Sequence, residues 1–257
     1  MSSMNHIQEG DLARGLRYGC STRIDGTMLV ATNNELFLLG QQNREKFFQQ
    51  SNINHWAVCR LAHGADIRVV TMSDDKTVAY GCDGLVTATL NLFLCLTVAD
   101  CFPVYFWSKN KKAKPRTPPR RGARVIGLAH AGWRGVSGNI VGKMVSKINS
   151  EFACNPGDLM AAIGPGIRQC HFEVKEDVLN NFFDFPKQIA TRNGRTYIAL
   201  AGILKKQLSA SGVLPNNIVD SDECTYCLGE KYFSYRRDKT DPIEAMLAYI
   251  GLESRDL

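Results

Sequence analysis

Two long apolar runs, separated by a proline-bearing basic segment, limit what this chain can become. The first, LNLFLCLTVADCFPVYFW, covers residues 90–107, and the second, RVIGLAHAGWRGVSGNI, covers residues 124–140. Apolar side chains at both odd and even positions mean strands covered on both faces, which requires a sheet interior. Asp100 breaks the first run after about ten residues, short of the roughly 20 a membrane helix needs. Cys101 ends one buried run and His130 ends the next. If the runs pair as neighbouring strands, both side chains arrive at one rim of a sheet, the geometry of a metal ligand pair or of a nucleophile and its base.

The 257 residues are enough for a sizeable core, and 44% hydrophobic with 22% charged residues is ordinary for a globular protein rather than a disordered or fibrous one. The formal charge of +6 invites a nucleic-acid partner, but residues 109–124 carry eight cations and no acid, leaving the rest of the chain at −2. The basicity is therefore one loop, KNKKAKPRTPPRRG at 109–122, in which Pro115, Pro118 and Pro119 disfavour a sheet ladder. No nucleic-acid or membrane partner is expected. The opening MSSMNHIQEGDLARG has no apolar targeting core, so a cytoplasmic protein is expected. Nine scattered cysteines fit a reducing compartment, where most thiols behave as small buried hydrophobes and a few bind metal or react.

Along the chain, the first forty residues read as short strands and turns, and QQNREKFFQQ at 41–50 reads as a helix capped by Asn43. Arg44 then sits in the first turn, where the dipole does not favour a cation, so it is either solvated or aimed into a site that wants positive charge. HWAVCRLAHGADIRVVT reads strand, turn, strand with His63-Gly64 at the turn, and Asp83 reads as a turn residue. RVIGLAHAGWRGVSGNIVGKMVSKINSEF reads strand, glycine-rich turn, helix. Gly132 and Gly135 there permit close backbone approach to a ligand, the helix start and Arg134 favour an anion, and Trp133 serves as core anchor or lid. Cys170 and His171 are neighbours on a strand-like stretch, so one should be buried and the other exposed. Cys224-x-x-Cys227 lacks a second ligand pair nearby and reads as buried thiols. Tyr235, Arg236 and Arg237 precede a last apolar run, and no linker divides residues 1–257, which are expected to form a single domain.

HAGWRG at 130–135, ADCFPV at 99–104, GPGIRQCHFEV at 164–174, CTYC at 224–227, YFSYRRD at 232–238, CSTR at 20–23 and NRE at 43–45 together resemble the laccase-domain proteins, also called the YfiH or multicopper polyphenol oxidase family. The resemblance implies an α+β fold, a compact α/β sandwich of mixed sheets flanked by helices. It also implies a zinc site built from His63, Cys101 and His130. Two imidazoles and a thiolate leave a fourth position open, as catalytic rather than structural zinc requires. The implied chemistry is purine nucleoside phosphorolysis, including that of methylthioadenosine, with adenosine deamination beside it. Arg44, Gly132, Arg134 and Arg23 are the candidates for phosphate, Tyr235 or Trp133 for the purine ring, and Arg236 for a further anion contact. The partners are then nucleosides and phosphate, with the protein a monomer or homodimer.

Departures from the family pattern bear on substrate range. Leu61-Ala62 precedes His63 where Gln-Val is usual, and Lys239-Thr240-Asp241-Pro242 stands where Thr-Gly-Arg is usual. Two other enzyme readings use the same residues. One is a metal-free cysteine hydrolase or amidase acting on a cell-wall precursor, with Cys101 as nucleophile and His130 as base. The other is a copper-binding polyphenol oxidase, for which five histidines are few. A non-enzymatic reading makes the basic loop a dock for an acidic partner.

Overall fold

The first apolar run does not form one strand. A computed structural model, which describes residues 15–30, 35–109 and 124–254, divides it at 99–101, and the two halves enter different sheets. In chain order the elements are β1 (Leu16–Cys20), α1 (Glu35–Gln50), β2 (His55–Leu61), β3 (Ile67–Val69), β4 (Thr77–Cys82), β5 (Gly84–Thr87), β6 (Leu92–Val98), β7 (Phe102–Ser108), β8 (Ile126–Ala131), α2 (Trp133–Ser137) and α3 (Ile140–Phe152). They continue with β9 (Leu159–Ile163), β10 (Glu173–Val174), α4 (Glu176–Leu179), β11 (Ile189–Arg192), β12 (Arg195–Ile198), α5 (Leu200–Ala210), β13 (Ile218–Asp220), α6 (Tyr235–Asp238) and β14 (Met246–Leu252). One mixed sheet runs β1-β14-β6-β2-β4, a second runs β13-β9-β7-β8-β5-β3, and β10-β12-β11 form a small third.

The alternation of side chains stacks the layers. On β6, Leu92, Leu94, Leu96 and Val98 point into a core shared with Tyr105 and Trp107 of β7, while Phe93 and Cys95 point the other way onto Phe47 and Phe48 of α1. On β7, Phe102, Val104 and Phe106 point away from the first sheet, onto Met144, Val145 and Ile148 of α3 and Leu204 and Leu208 of α5. The order is therefore helix, sheet, sheet, helices, and both central sheets are covered on both faces. This is why β6 and β7 are buried at every position, and apolar at all but Thr97 and Ser108. Asp100 makes the turn between the sheets with φ of 80°, a left-handed conformation that Asp tolerates better than most residues.

The α+β sandwich agrees with the expectation, but the N-terminal region does not. ELFLLG belongs to a helix, not a strand, and α1 begins at Glu35 rather than near Gln41. Asn43 and Arg44 are consequently interior to the helix. Asn43 donates to the Thr27 carbonyl instead of capping. Gly40, a residue that often ends a helix, is retained because a side chain there would meet the Leu29 carbonyl at 2.6 Å. The basic segment lies outside the described residues beyond Lys109, whose ammonium is bonded to Asn217. Among the described residues no helix is long and apolar enough to cross a membrane.

Candidate active site

Strands β7 and β8 pair antiparallel with Phe102 opposite Ala131 and Pro103 opposite His130. That register brings Cys101, just before β7, beside Gly132, just after β8. A Cβ on Gly132 would lie 2.9 Å from the Cys101 Sγ and 3.4 Å from the His130 ring. The absence of a side chain there is what lets the sulfur sit so close to the HAGWRG turn. Gly135 acts similarly, since its Cβ would meet the Gly64 carbonyl at 3.1 Å. Gly132 thus makes room for the Cys101 sulfur and Gly135 lets the His63 turn approach the HAGWRG turn, while both glycines also line the cavity at this site.

His63 arrives from the β2–β3 connection with φ of 58°. Its amide and that of Gly64 each donate to one carboxylate oxygen of Asp83, both at 2.7 Å. Asp83 is fully buried, its backbone carbonyl accepts the His130 amide at 2.8 Å, and its Oδ1 lies 3.8 Å from His130 Nδ1. One aspartate therefore holds both histidine-bearing segments. The His63 and His130 rings are perpendicular, with centroids 5.3 Å apart. Asp83 is more than the turn residue the sequence suggests. Its signal was its position, immediately before the buried strand GLVT.

Burial keeps two of the site's groups, the Cys101 thiol and the His130 imidazole, uncharged. Burial pushes the Cys101 thiol up to about 12, with Asp100 and then Asp83 adding to it. Burial, then His63, brings His130 down to about 3. These groups line a cavity of about 480 Å³ together with Leu29, Val30, Arg60, Leu61, Ala99, Trp133, Arg134 and Tyr235. That is the size of a small-molecule site. Cys59 also lines it, but its sulfur is turned to Cys82, 3.0 Å from that residue's Sγ. Two imidazoles and one thiol thus remain as the donor set facing the cavity among the described residues, a set suited to a single borderline-soft cation.

The remaining sequence candidates separate. Gly132, Arg134 and Tyr235 line the cavity, and the Arg134 guanidinium lies 4.3 Å above the Trp133 ring. Arg44 donates to the carbonyls of Met28 and Leu29, and Arg23 pairs with Asp238 and stacks over Phe233; neither is a lining residue. Arg236 lines a neighbouring groove with Trp133 and donates to the Glu173 carbonyl. Arg60, near the end of β2, is the lining cation sequence reasoning missed. The helix after HAGWRG is also shorter than read: α2 spans five residues, and the longer α3 is capped by Asn139 at a distance from Gly132.

Away from the cavity, Cys170 and Cys227 are exposed, Cys224 is buried and His171 is half-buried. All four side chains converge, with donor atoms within 4.8 Å of one another. The expected opposition of Cys170 and His171 fails because they occupy a turn, not a strand. The expected pair of buried thiols fails at Cys227.

Residues 39–253 match the family described as multi-copper polyphenol oxidoreductase laccase. The purine nucleoside phosphorylase YlmD of Geobacillus stearothermophilus is 35% identical over 212 residues, 77% of this chain and 73% of that protein. The purine nucleoside phosphorylase YfiH of Escherichia coli is 29% identical over 205 residues, 78% of this chain and 76% of that one. The crystal structure of YlmD from Geobacillus stearothermophilus superposes with a TM-score of 0.79 at 30% identity, covering 93% of each chain. On this match and this fold, the chain belongs to the multi-copper polyphenol oxidoreductase laccase family.

Proposed function

We propose that the chain is a zinc-dependent purine nucleoside phosphorylase, with adenosine deaminase and methylthioadenosine phosphorylase activity in the same cavity. The observation that carries the reading is that His63, Cys101 and His130 line one small-molecule cavity, which also presents Arg60, Arg134, Trp133 and Tyr235. The names of the relatives YlmD and YfiH support the substrate class. His63, Cys101 and His130 would hold the metal, which when bound supplies Lewis acidity and stabilises the Cys101 thiolate.

Phosphorolysis joins a phosphate oxygen to ribose C1′ while the C1′–N bond breaks and its electron pair leaves with the purine. The chain must therefore hold an anion at one face of C1′ and fix the base on the other. Arg134 and Arg60 are suited to the anion. Trp133 and Tyr235 offer aromatic faces to the base, and the guanidinium over Trp133 orients that ring. The neutral His130 imidazole is kept from drawing a proton in the neutral range, so it stays available as a donor ligand.

A metal-free cysteine hydrolase is disfavoured by the same shifts. An imidazole near 3 is too weak a base to take the proton of a thiol near 12. A copper polyphenol oxidase would need several clustered sites, and the cavity contains two of the chain's five histidines. Elemental analysis of the purified protein, with a nucleoside panel assayed with and without phosphate, tests the reading. Zinc with phosphate-dependent base release is expected; turnover indifferent to phosphate and to zinc would refute it.

A further inference from the structure

Cys170, His171, Cys224 and Cys227 lie on two loops more than fifty residues apart in sequence, and none lines the cavity. The Cys170 sulfur is 3.6 Å from that of Cys224 and 3.8 Å from that of Cys227. His171 Nδ1 is 3.2 Å from the Cys170 sulfur and 3.3 Å from the Cys227 sulfur. Tetrahedral zinc with bonds of about 2.3 Å to sulfur and 2.0–2.1 Å to nitrogen demands sulfur–sulfur edges of about 3.8 Å and sulfur–nitrogen edges of about 3.6 Å. Four of the six observed edges fall within a few tenths of an ångström of these values, and the other two, from Cys224 to Cys227 and to His171, are within 4.8 Å. A disulfide would instead bring one sulfur pair to about 2.05 Å.

The surroundings hold each donor in place. His171 stacks on Tyr226 with ring centroids 3.9 Å apart and planes 14° from parallel, which fixes the direction of its nitrogen. The Arg168 amide donates to the Cys224 sulfur at 3.5 Å, an interaction that strengthens as the thiol becomes a thiolate. Arg192 donates to the carbonyls of Gln169 and Cys170, and Arg237 to those of Thr225 and Tyr226, so each loop is pinned by a cation. Three thiolates and one divalent ion carry a net charge of −1, which Arg192 can offset, Arg237 being already paired with Asp238.

We infer that Cys170, His171, Cys224 and Cys227 bind a second zinc ion, distinct from the cavity metal and structural in kind. Four protein donors close the coordination sphere, which leaves no vertex for a substrate. The ion ties the 164–171 loop to the 224–227 turn, and both loops meet at Asp100. That residue's carboxylate accepts the Thr225 hydroxyl at 2.6 Å and the Arg236 amide at 2.7 Å, and its carbonyl accepts the Ile167 amide at 2.8 Å. Because Cys101 follows Asp100, a metal staple here braces the wall that carries the cavity thiol.

The test is zinc counting on the full chain purified from zinc-supplemented medium, with wild type, Cys227→Ser and His63→Ala in parallel. Cys227→Ser is expected to lose one zinc equivalent per chain relative to wild type, and to keep whatever equivalent His63→Ala loses. Because a variant can fail to fold, the wild type is also alkylated with iodoacetamide before and after chelator, and the modified residues are mapped by mass spectrometry. Cys170 and Cys227, although exposed, should be protected until chelator is added, and cobalt loading should produce thiolate-to-cobalt absorption that Cys227→Ser loses. Equal zinc in wild type and Cys227→Ser, immediate labelling of Cys170 and Cys227 without chelator, or a mapped disulfide among the three cysteines would overturn the assignment. None of these readouts depends on nucleoside turnover, so the staple stands or falls apart from the proposed activity.

Discussion

The sulfur of Cys101 lies against Gly132, 2.9 Å from where a Cβ on that residue would stand, too close for a side chain to fit without a shift. The φ of Gly132 is −74°, which any residue adopts, so steric room and not backbone freedom explains the glycine. Gly132→Ala is therefore expected to fold, at a cost of about 1–3 kcal/mol for overpacking, and to displace the sulfur. Turnover should fall by on the order of 10²-fold with little change in secondary structure, since small misplacements of reacting groups have effects of that size. Circular dichroism beside steady-state kinetics checks it; wild-type turnover would mean that the Cys101 position is unimportant.

Asp83 couples two segments that carry candidate ligands. Asp83→Ala leaves the amides of His63 and Gly64 without their acceptor, and should lower stability by about 1–3 kcal/mol. Loss of a group that orients metal ligands typically weakens metal affinity by about 10–100-fold. Zinc competition with a chromogenic chelator should show that drop, whereas unchanged affinity would confine Asp83 to packing.

Arg134 and Arg44 separate a phosphate contact from a structural one. Arg134→Gln is expected to raise the KM for phosphate by about tenfold, the equivalent of roughly 1.4 kcal/mol, with the urea midpoint unchanged. Arg44→Met should do the reverse, because its guanidinium is bonded to the carbonyls of Met28 and Leu29 inside the protein. A raised phosphate KM in Arg44→Met at full stability would return Arg44 to the substrate site.

Much of this arrangement was legible in the residues, and the reasons for the exceptions are physical. Apolar positions on both faces of residues 92–98 and 102–108 announce sheet interior, and the ends of two such strands locate Cys101 and His130. The division of the first run between two sheets was not legible, because a single Asp at a left-handed turn looks like any interruption. Only the first turns of helix α1 read as strand, because ELFLLG is apolar without a clear period and ends in Gly40. Cys224 and Cys227 looked isolated because their partners, Cys170 and His171, join them only through tertiary structure. No local pattern announces a contact across 54 residues.

The pH dependence of stability tests the frame beneath the second cysteine loop. Arg168 holds Asp220 with two hydrogen bonds, at 3.0 and 2.7 Å, and Lys205 adds an ion pair at 2.8 Å. Burial raises the Asp220 pKa, but the hydrogen bonds from Arg168 and Lys205 outweigh it and leave the carboxyl below its ordinary 3.8. With the folded value depressed, its stabilisation is complete above 3.8 and is lost as pH falls from there through the folded value. Asp220→Asn should therefore be destabilised against wild type at pH 7, by about 1.5–3 kcal/mol, and the difference should shrink steadily below pH 3.8. Urea titrations at both pH values decide it; a difference that persists in acid would place its origin elsewhere.

The central claim is that the cavity walled by His63, Cys101 and His130 cleaves purine nucleosides with phosphate. The most direct measurement is the initial rate of hypoxanthine release from inosine as phosphate is varied, for wild type and Cys101→Ala at matched concentration. A rate that saturates with phosphate in the wild type and falls by on the order of 10²-fold or more in the variant is predicted. Equal rates in the two proteins, or release that ignores phosphate, would contradict the account.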